Sequence, residues 1–110
     1  MKKKQYENYK KLKEDKIPIT RDDDDKLIDA DYIYKKKKRM KPLMSTQPDW
    51  ELLEARIEKK LELGMLKSYY SMQGEMSPEK QLEEVKNRTS EGYKLMLAEK
   101  GLVDWLLDYE

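Results

Sequence analysis

The residues best suited to chemistry in this 110-residue chain are a cluster of cations near its middle. Six of the seven residues at positions 35–41 are basic, namely Lys35, Lys36, Lys37, Lys38, Arg39 and Lys41. Contiguous lysines bind nucleic-acid phosphates without reading the base sequence, because binding releases condensed counterions. Tyr32 and Tyr34, just upstream, could stack on bases, which favours RNA or single strands. A solvated charge run and a nuclear-import signal are alternative interpretations.

A second charged cluster is acidic and lies at positions 22–25, where four consecutive residues are Asp. A calcium loop of the EF-hand type needs Gly at its sixth position and Glu at its twelfth. Counted from Asp22, those positions hold Leu27 and Ile33, so the pattern fails. We therefore predict a solvated acidic turn rather than a cation site.

The composition leaves little for catalysis to use. The chain has no His and no Cys, which excludes the commonest general base, thiol nucleophiles and disulfides. The four Gly residues are too far apart for a phosphate-binding loop. Carboxylate pairs such as Glu58 with Glu62, and Glu79 with Glu83, are typical of a solvated helix face. We predict no enzyme activity, no cofactor, no metal site and no small-molecule substrate, and no motif identifies a family.

The element around which the chain is organised is predicted to be a long amphipathic helix. Apolar residues recur three or four positions apart, as one helix face requires, at Trp50, Leu53, Ile57, Leu61, Met65, Tyr69 and Met72. We predict helices at 49–73 and 77–100, the second capped by Ser77 and Pro78. Because the loop between them is short, they should form an antiparallel hairpin. Residues 102–109 are predicted to be a short helix that folds back, with a docking tail as the alternative.

Residues 1–48 are predicted to be an extended basic arm. They hold 15 Lys and Arg against 9 Asp and Glu, whereas residues 49–110 hold 9 against 14. A short helix is predicted at 2–16, although its apolar face is too thin to fold alone. The alternation of apolar side chains at 27–34 predicts a strand, with extended chain or a helix at 26–40 as alternatives. The predicted fold is therefore all-α, with an extended arm, a helical hairpin and a short C-terminal helix.

Such a chain buries little apolar surface, so we expect its stability to depend on self-association or on other protein subunits. The residues predicted to contact a partner are Ile17, Ile19, Tyr32, Tyr34, Trp50, Leu53, Ile57, Leu61, Trp105 and Leu106.

Three functional hypotheses follow. The first is a small structural or accessory subunit of a large assembly, such as a virion, a ribosome-like particle or a multi-subunit complex. The second is a nucleic-acid-binding accessory protein that uses residues 35–41. The third is a small phage-type inhibitor of a host enzyme. No apolar run reaches the length of a membrane span and no secretory signal is recognisable, so we expect no membrane contact and a location inside a cell or a virus particle.

Overall fold

The computed structural model describes residues 2–37 and 49–108. The helices of this part are α1 (Lys3–Lys11), α2 (Ala30–Lys36), α3 (Trp50–Glu62), α4 (Pro78–Lys86) and α5 (Ser90–Asp108). The strands are β1 (Pro18–Arg21), β2 (Leu27–Asp29), β3 (Tyr69–Ser71) and β4 (Gly74–Met76). The chain divides into a terminal unit (Met1–Gln47 with Gly101–Glu110) and a central unit (Pro48–Lys100). No helix of the described residues is long and apolar enough to cross a membrane.

The predicted all-α fold is wrong, because the described residues also form two antiparallel two-stranded sheets. β1 pairs with β2, and β3 pairs with β4. The extended arm is wrong as well: residues 2–37 contain α1, β1, β2 and α2. Within the predicted strand at 27–34, residues 27–29 form β2 and the rest belongs to α2.

The terminal unit folds because the apolar side chains of its segments are buried together. Each segment by itself carries too few apolar residues to be stable. Its buried apolar side chains come from all of its elements, namely Tyr6, Tyr9, Ile17, Ile19, Ile28, Ala30, Ile33, Val103 and Leu106. The amide of Gln5 donates to the carbonyl of Leu106 at 3.3 Å, which joins α1 to the last turns of α5. The prediction of an extended arm failed because the periodicity of one segment does not reveal whether segments distant in sequence will cover its apolar side chains.

The acidic run forms the turn that joins β1 to β2. The Oδ1 atom of Asp22 accepts hydrogen bonds from the backbone amides of Asp24 and Lys26, at 2.9 and 3.0 Å. Asp25 adopts a left-handed conformation with φ of 66°, which Asp tolerates better than most residues. The carboxylate of Asp22 thus stabilises the turn by accepting hydrogen bonds from backbone amides within it.

The long helix predicted for 49–73 is shorter, because α3 ends at Glu62. Gly64 has φ of +68°, its amide bonds to Leu61 O at 3.1 Å, and the Met65 amide bonds to Lys60 O at 2.8 Å. These two bonds define a Schellman motif, which satisfies the last carbonyls of the helix and reverses the chain. The chain then forms β3 and β4, so the predicted helical hairpin is replaced by a helix followed by a β-hairpin.

The helix predicted for 77–100 is divided between α4 and α5, and no separate C-terminal helix exists in the described residues. The cap holds as predicted, because Ser77 Oγ accepts from the Lys80 amide at 3.2 Å with Pro78 in the first turn. Arg88, with φ of 53°, ends α4 in a left-handed conformation. Helix α5 instead continues through Gly101, past residue 100, where the predicted helix ends.

Candidate functional site

The β3–β4 hairpin is held firmly at its base within the central unit. Met76, the last residue of β4, is fully buried. The side-chain amide of Gln81 donates to the carbonyl of Met76 at 3.1 Å and to that of Lys67 at 2.8 Å. One buried amide on α4 thus ties together the chain entering β3 and the chain leaving β4.

A second anchor joins β3 to the first turn of α5. The hydroxyl of Tyr69 donates to Oε1 of Glu91 at 2.8 Å, and Lys94 Nζ lies 3.9 Å from Oε2 of Glu91. Burial and this hydrogen bond raise the pKa of Tyr69 to about 12, so the phenol is protonated and donates at neutral pH. The arrangement therefore positions the hairpin and offers no activated nucleophile.

Two large apolar side chains project from this hairpin into solvent. Tyr70 is 83% exposed and Met72 is fully exposed. Beside them is an open groove of about 600 Å³, lined by residues 69–73 and by Ser90, Glu91 and Lys94 of α5. We call Tyr70, Met72 and this groove the hairpin surface. It combines exposed apolar side chains with rigid support, which suits binding of a protein partner.

Sequence reasoning missed the hairpin surface, although a signal was present. Gly74 was interpreted as the stop of a helix, but it has φ of +108° and pairs with Ser71 across a two-residue turn. The Ser71 hydroxyl accepts from the Gln73 amide at 3.1 Å, which fixes the turn. A serine three residues before a glycine, within a short aromatic segment, is compatible with a tight hairpin.

A second site, made of charged side chains and two stacked tyrosines, lies in the terminal unit where α1 contacts α2. The rings of Tyr6 and Tyr34 are stacked, with centroids 4.2 Å apart. The Tyr6 hydroxyl donates to Asp31 Oδ1 at 2.7 Å, Lys35 Nζ lies 3.0 Å from the same oxygen, and Lys16 binds Oδ2. Hydrogen bonds from Lys16 and Tyr6 hold the pKa of Asp31 far below its usual range, and the bond to Asp31 raises the pKa of Tyr6 to about 12.

This network predicts a pH-dependent stability. Because the pKa of Asp31 is lowered on folding, its contribution is present above its ordinary value of 3.8 and is lost as pH falls below it. Because the pKa of Tyr6 is raised, its contribution is present below 10.0 and is lost as pH rises towards about 12. We expect Asp31→Asn to flatten both dependences of the urea midpoint, and the exposed-turn variant Asp23→Asn to leave them unchanged. A wild-type profile retained in Asp31→Asn would contradict the assignment.

The lysines around this network are exposed. We call six of them the lysine surface, namely Lys3, Lys4, Lys10, Lys11, Lys36 and Lys37. Lys10 Nζ lies 4.9 Å from the centre of the Tyr6 ring, which places Lys10 beside the α1–α2 contact. Of the predicted phosphate-binding run, Lys35, Lys36 and Lys37 end α2, whereas Lys38, Arg39 and Lys41 lie outside the described residues.

The structure buries half of the ten predicted partner-contact residues inside the protein. Their side chains are nearly or fully buried at Ile17, Ile19, Leu53, Ile57 and Leu106. Those that are half-buried are Tyr32, Tyr34, Trp50 and Leu61.

Two tryptophans differ in their surroundings. Trp50 packs against Tyr93, with ring centroids 5.7 Å apart, and the Arg88 guanidinium lies 4.5 Å from the Trp50 ring centre. Trp105 is 51% exposed. Of the ten predicted contact residues, Trp105 therefore offers the largest exposed surface.

We find no match between this chain and any protein-family model, any curated protein or any solved structure. Within residues 2–37 and 49–108, no three His, Cys, Asp or Glu side chains are grouped so that they could hold a metal ion. The site must therefore be interpreted from its own geometry.

Proposed function

We propose that this chain is a non-catalytic accessory subunit of an intracellular or viral assembly and that it binds a protein partner through the hairpin surface. The observation that carries the proposal is the exposure of Tyr70 and Met72 on a hairpin whose base is fixed. Tyr and Met are both enriched at protein interfaces. Met adapts its shape to an irregular partner surface, and Tyr adds area with few rotatable bonds.

The anchoring of the hairpin supports binding rather than mobility. Gln81 and Met76 hold its base, and the Tyr69–Glu91 hydrogen bond holds β3 against α5. A rigid binding element loses little conformational entropy when the complex forms, so more of the contact energy contributes to affinity. The groove beside Tyr70 could accept an apolar side chain of the partner, and the exposed Lys94 lies at its edge.

The test compares a hairpin variant with a matched control. Tyr70→Ser with Met72→Ser removes the projecting side chains, whereas Leu63→Ser with Leu97→Ser removes two half-exposed side chains elsewhere in the central unit. Sedimentation equilibrium first measures self-association, because a second copy is the simplest protein partner. A photo-crosslinking residue at position 70 or at position 63 then identifies other partners, whose affinities are measured with purified proteins.

We expect the hairpin variant to weaken the complex by about 30-fold, which corresponds to about 2 kcal/mol for an interface hot spot. The control variant should change the affinity by less than about threefold. Equal affinities of wild type and hairpin variant, or the absence of any protein complex with the wild-type chain, would refute the proposal.

A further inference from the structure

We infer that the lysine surface of α1 and α2 binds the phosphate backbone of nucleic acid. This site belongs to the terminal unit and does not depend on the hairpin surface. The observation behind it is the joining of two lysine-bearing helices by the Tyr6–Tyr34 stack and by the Asp31 network. The sequence alone pointed to positions 35–41, and the structure adds the lysines of α1.

The geometry arranges the cations before a ligand arrives. On α1, Lys3, Tyr6 and Lys10 follow one another at helical spacing, and Tyr6 is the residue that stacks on α2. At the end of α2, Lys37 lies three positions after Tyr34, the other member of the stack, and Lys36 lies two positions after it, on another side of the helix. Exposed lysines thus lie on both of the helices that the stacked pair joins, and Lys10 contacts the Tyr6 ring.

The acidic residues nearby leave this surface positive. Asp31 is already bound by Lys16 and Lys35, so these three side chains together carry one positive charge. Glu7 is the acidic residue within α1, where it lies three or four positions from each of four exposed lysines. Asp15 and Asp29 also lie near the network, close enough to affect Lys16 electrostatically, and the six lysines outnumber these three carboxylates. An anionic ligand would thus meet a net excess of lysine ammonium groups, which is the charge complementarity that a phosphate backbone requires.

The structure favours nucleic acid over a lipid surface. A helix that lies on a membrane inserts an apolar face among the lipids. In α1 that face is already used, because Tyr6 and Tyr9 are buried. Leu12, next to Lys11, is 42% exposed, but a single apolar side chain does not form the face that insertion requires.

The same geometry predicts binding that does not read base sequence. Tyr34 was expected to stack on bases, but its ring lies parallel to the Tyr6 ring within the chain. Lysines contact phosphates as point charges and do not read base edges in the bidentate manner of Arg. We therefore expect similar affinities for duplexes of different sequence, and no preference for single strands.

The experiment measures binding of a labelled mixed-sequence DNA duplex to the full chain by fluorescence anisotropy across a salt series. The test variant is Lys3→Gln with Lys36→Gln and Lys37→Gln, which spares Lys10 and Lys35 because they contact Tyr6 and Asp31. The matched control is Lys67→Gln with Lys80→Gln and Lys86→Gln, which removes three charges from the central unit. A charge-retaining variant, Lys3→Arg with Lys36→Arg and Lys37→Arg, keeps the test valid if the Gln variant unfolds.

With six phosphate contacts, raising the salt from about 50 to about 200 mM should lower the wild-type affinity by about 2,000-fold, whereas the Gln variant, which keeps three of the six lysines, should lose only about 40-fold. The central-unit control, the Arg variant and the hairpin variant Tyr70→Ser with Met72→Ser should all bind like wild type. Undetectable or salt-insensitive DNA binding, or equal losses in the test and control variants, would overturn the inference. Tighter binding to phosphatidylserine vesicles than to DNA would also overturn it and would indicate a membrane ligand.

Discussion

Replacing Gly92 with alanine is expected to destabilise the central unit by at least about 3 kcal/mol. Gly92 lies in the first turns of α5, directly against the end of α4. A Cβ atom there would overlap the carbonyl oxygen of Glu84 and would lie 2.5 Å from its carbonyl carbon and 2.9 Å from the amide nitrogen of Val85. These are backbone atoms, so relief requires moving α4 rather than rotating a side chain.

The displaced carbonyl has a second role that makes the movement costly. Glu84 O accepts the Thr89 amide at 3.2 Å, a bond that ends α4, and Thr89 Oγ1 accepts the Gly92 amide at 3.1 Å. Moving Glu84 therefore disrupts both the end of α4 and the start of α5, and each cap contributes about 1 kcal/mol. Urea denaturation followed by circular dichroism measures the loss.

Gly101 provides the matched control in the same helix. A Cβ at Gly101 would meet no atom within 4 Å, and the residue is helical. Gly101→Ala should therefore raise the free energy of unfolding by about 0.5 to 1 kcal/mol, because alanine has the higher helix propensity. If both variants changed stability in the same direction, the proposed close approach of α4 and α5 at Gly92 would be wrong.

The second large effect is expected at Glu99, which lies among cations in the interior of the central unit. Its carboxylate faces Lys60 Nζ, at 2.7 and 3.0 Å from its two oxygens, and an Arg56 nitrogen lies 4.0 Å from Oε2. Lys60 Nζ donates a hydrogen bond to Oε2 of Glu99. Its shorter distance, to Oε1, is an ionic contact without the geometry of a hydrogen bond. The Arg56 side chain is fully buried.

We expect Glu99→Gln to lower the free energy of unfolding by about 3 kcal/mol, because it removes a negative charge that lies beside two buried or nearly buried cations. The matched control is Glu62→Gln, since Glu62 pairs with Lys59 at 3.2 Å on the exposed surface. That variant should change stability by less than about 0.5 kcal/mol. Both are measured by urea denaturation near neutral pH.

A triple variant separates charge from packing. In Arg56→Met with Lys60→Met and Glu99→Leu, both cations and the carboxylate are replaced by apolar side chains, so the loss should be smaller than in Glu99→Gln alone. An equal or larger loss in the triple variant would mean that the shape of these three side chains, rather than their charge, stabilises the central unit.

Local signals in the sequence were sufficient where the structure depends on neighbouring residues. The spacing of Leu53 and Ile57 predicted one apolar face of the helix that forms α3, although both side chains, which we predicted to contact a partner, are nearly fully buried within the chain. Ser77 followed by Pro78 predicted the start of α4, where Ser77 caps the Lys80 amide. These features depend on residues within one or two helical turns, so a single segment contains the information.

Helix ends show where such signals fail. The helix predicted for 49–73 runs through Gly64, whereas Gly64 adopts a left-handed conformation just after the end of α3. Lys13 and Arg88, however, also adopt left-handed conformations, with φ of 60° and 53°, and each is followed by the bonds that end a helix. Gly101, by contrast, lies inside α5. A non-glycine residue adopts this conformation only when surrounding contacts offset its steric cost, and those contacts lie elsewhere in the chain.

By itself, the sequence determined the amphipathic face of α3, the capped start of α4, the acidic turn and a surplus of lysine near the N-terminus. Only the tertiary structure decided that Ile17 and Ile19, which were predicted to be partner contacts, are core residues. It also decided that Tyr34 stacks on Tyr6 and that Tyr70 and Met72 project from an anchored hairpin. The physical reason is that burial and exposure depend on which distant segments pack together, whereas periodicity and capping depend on residues that are close in the chain.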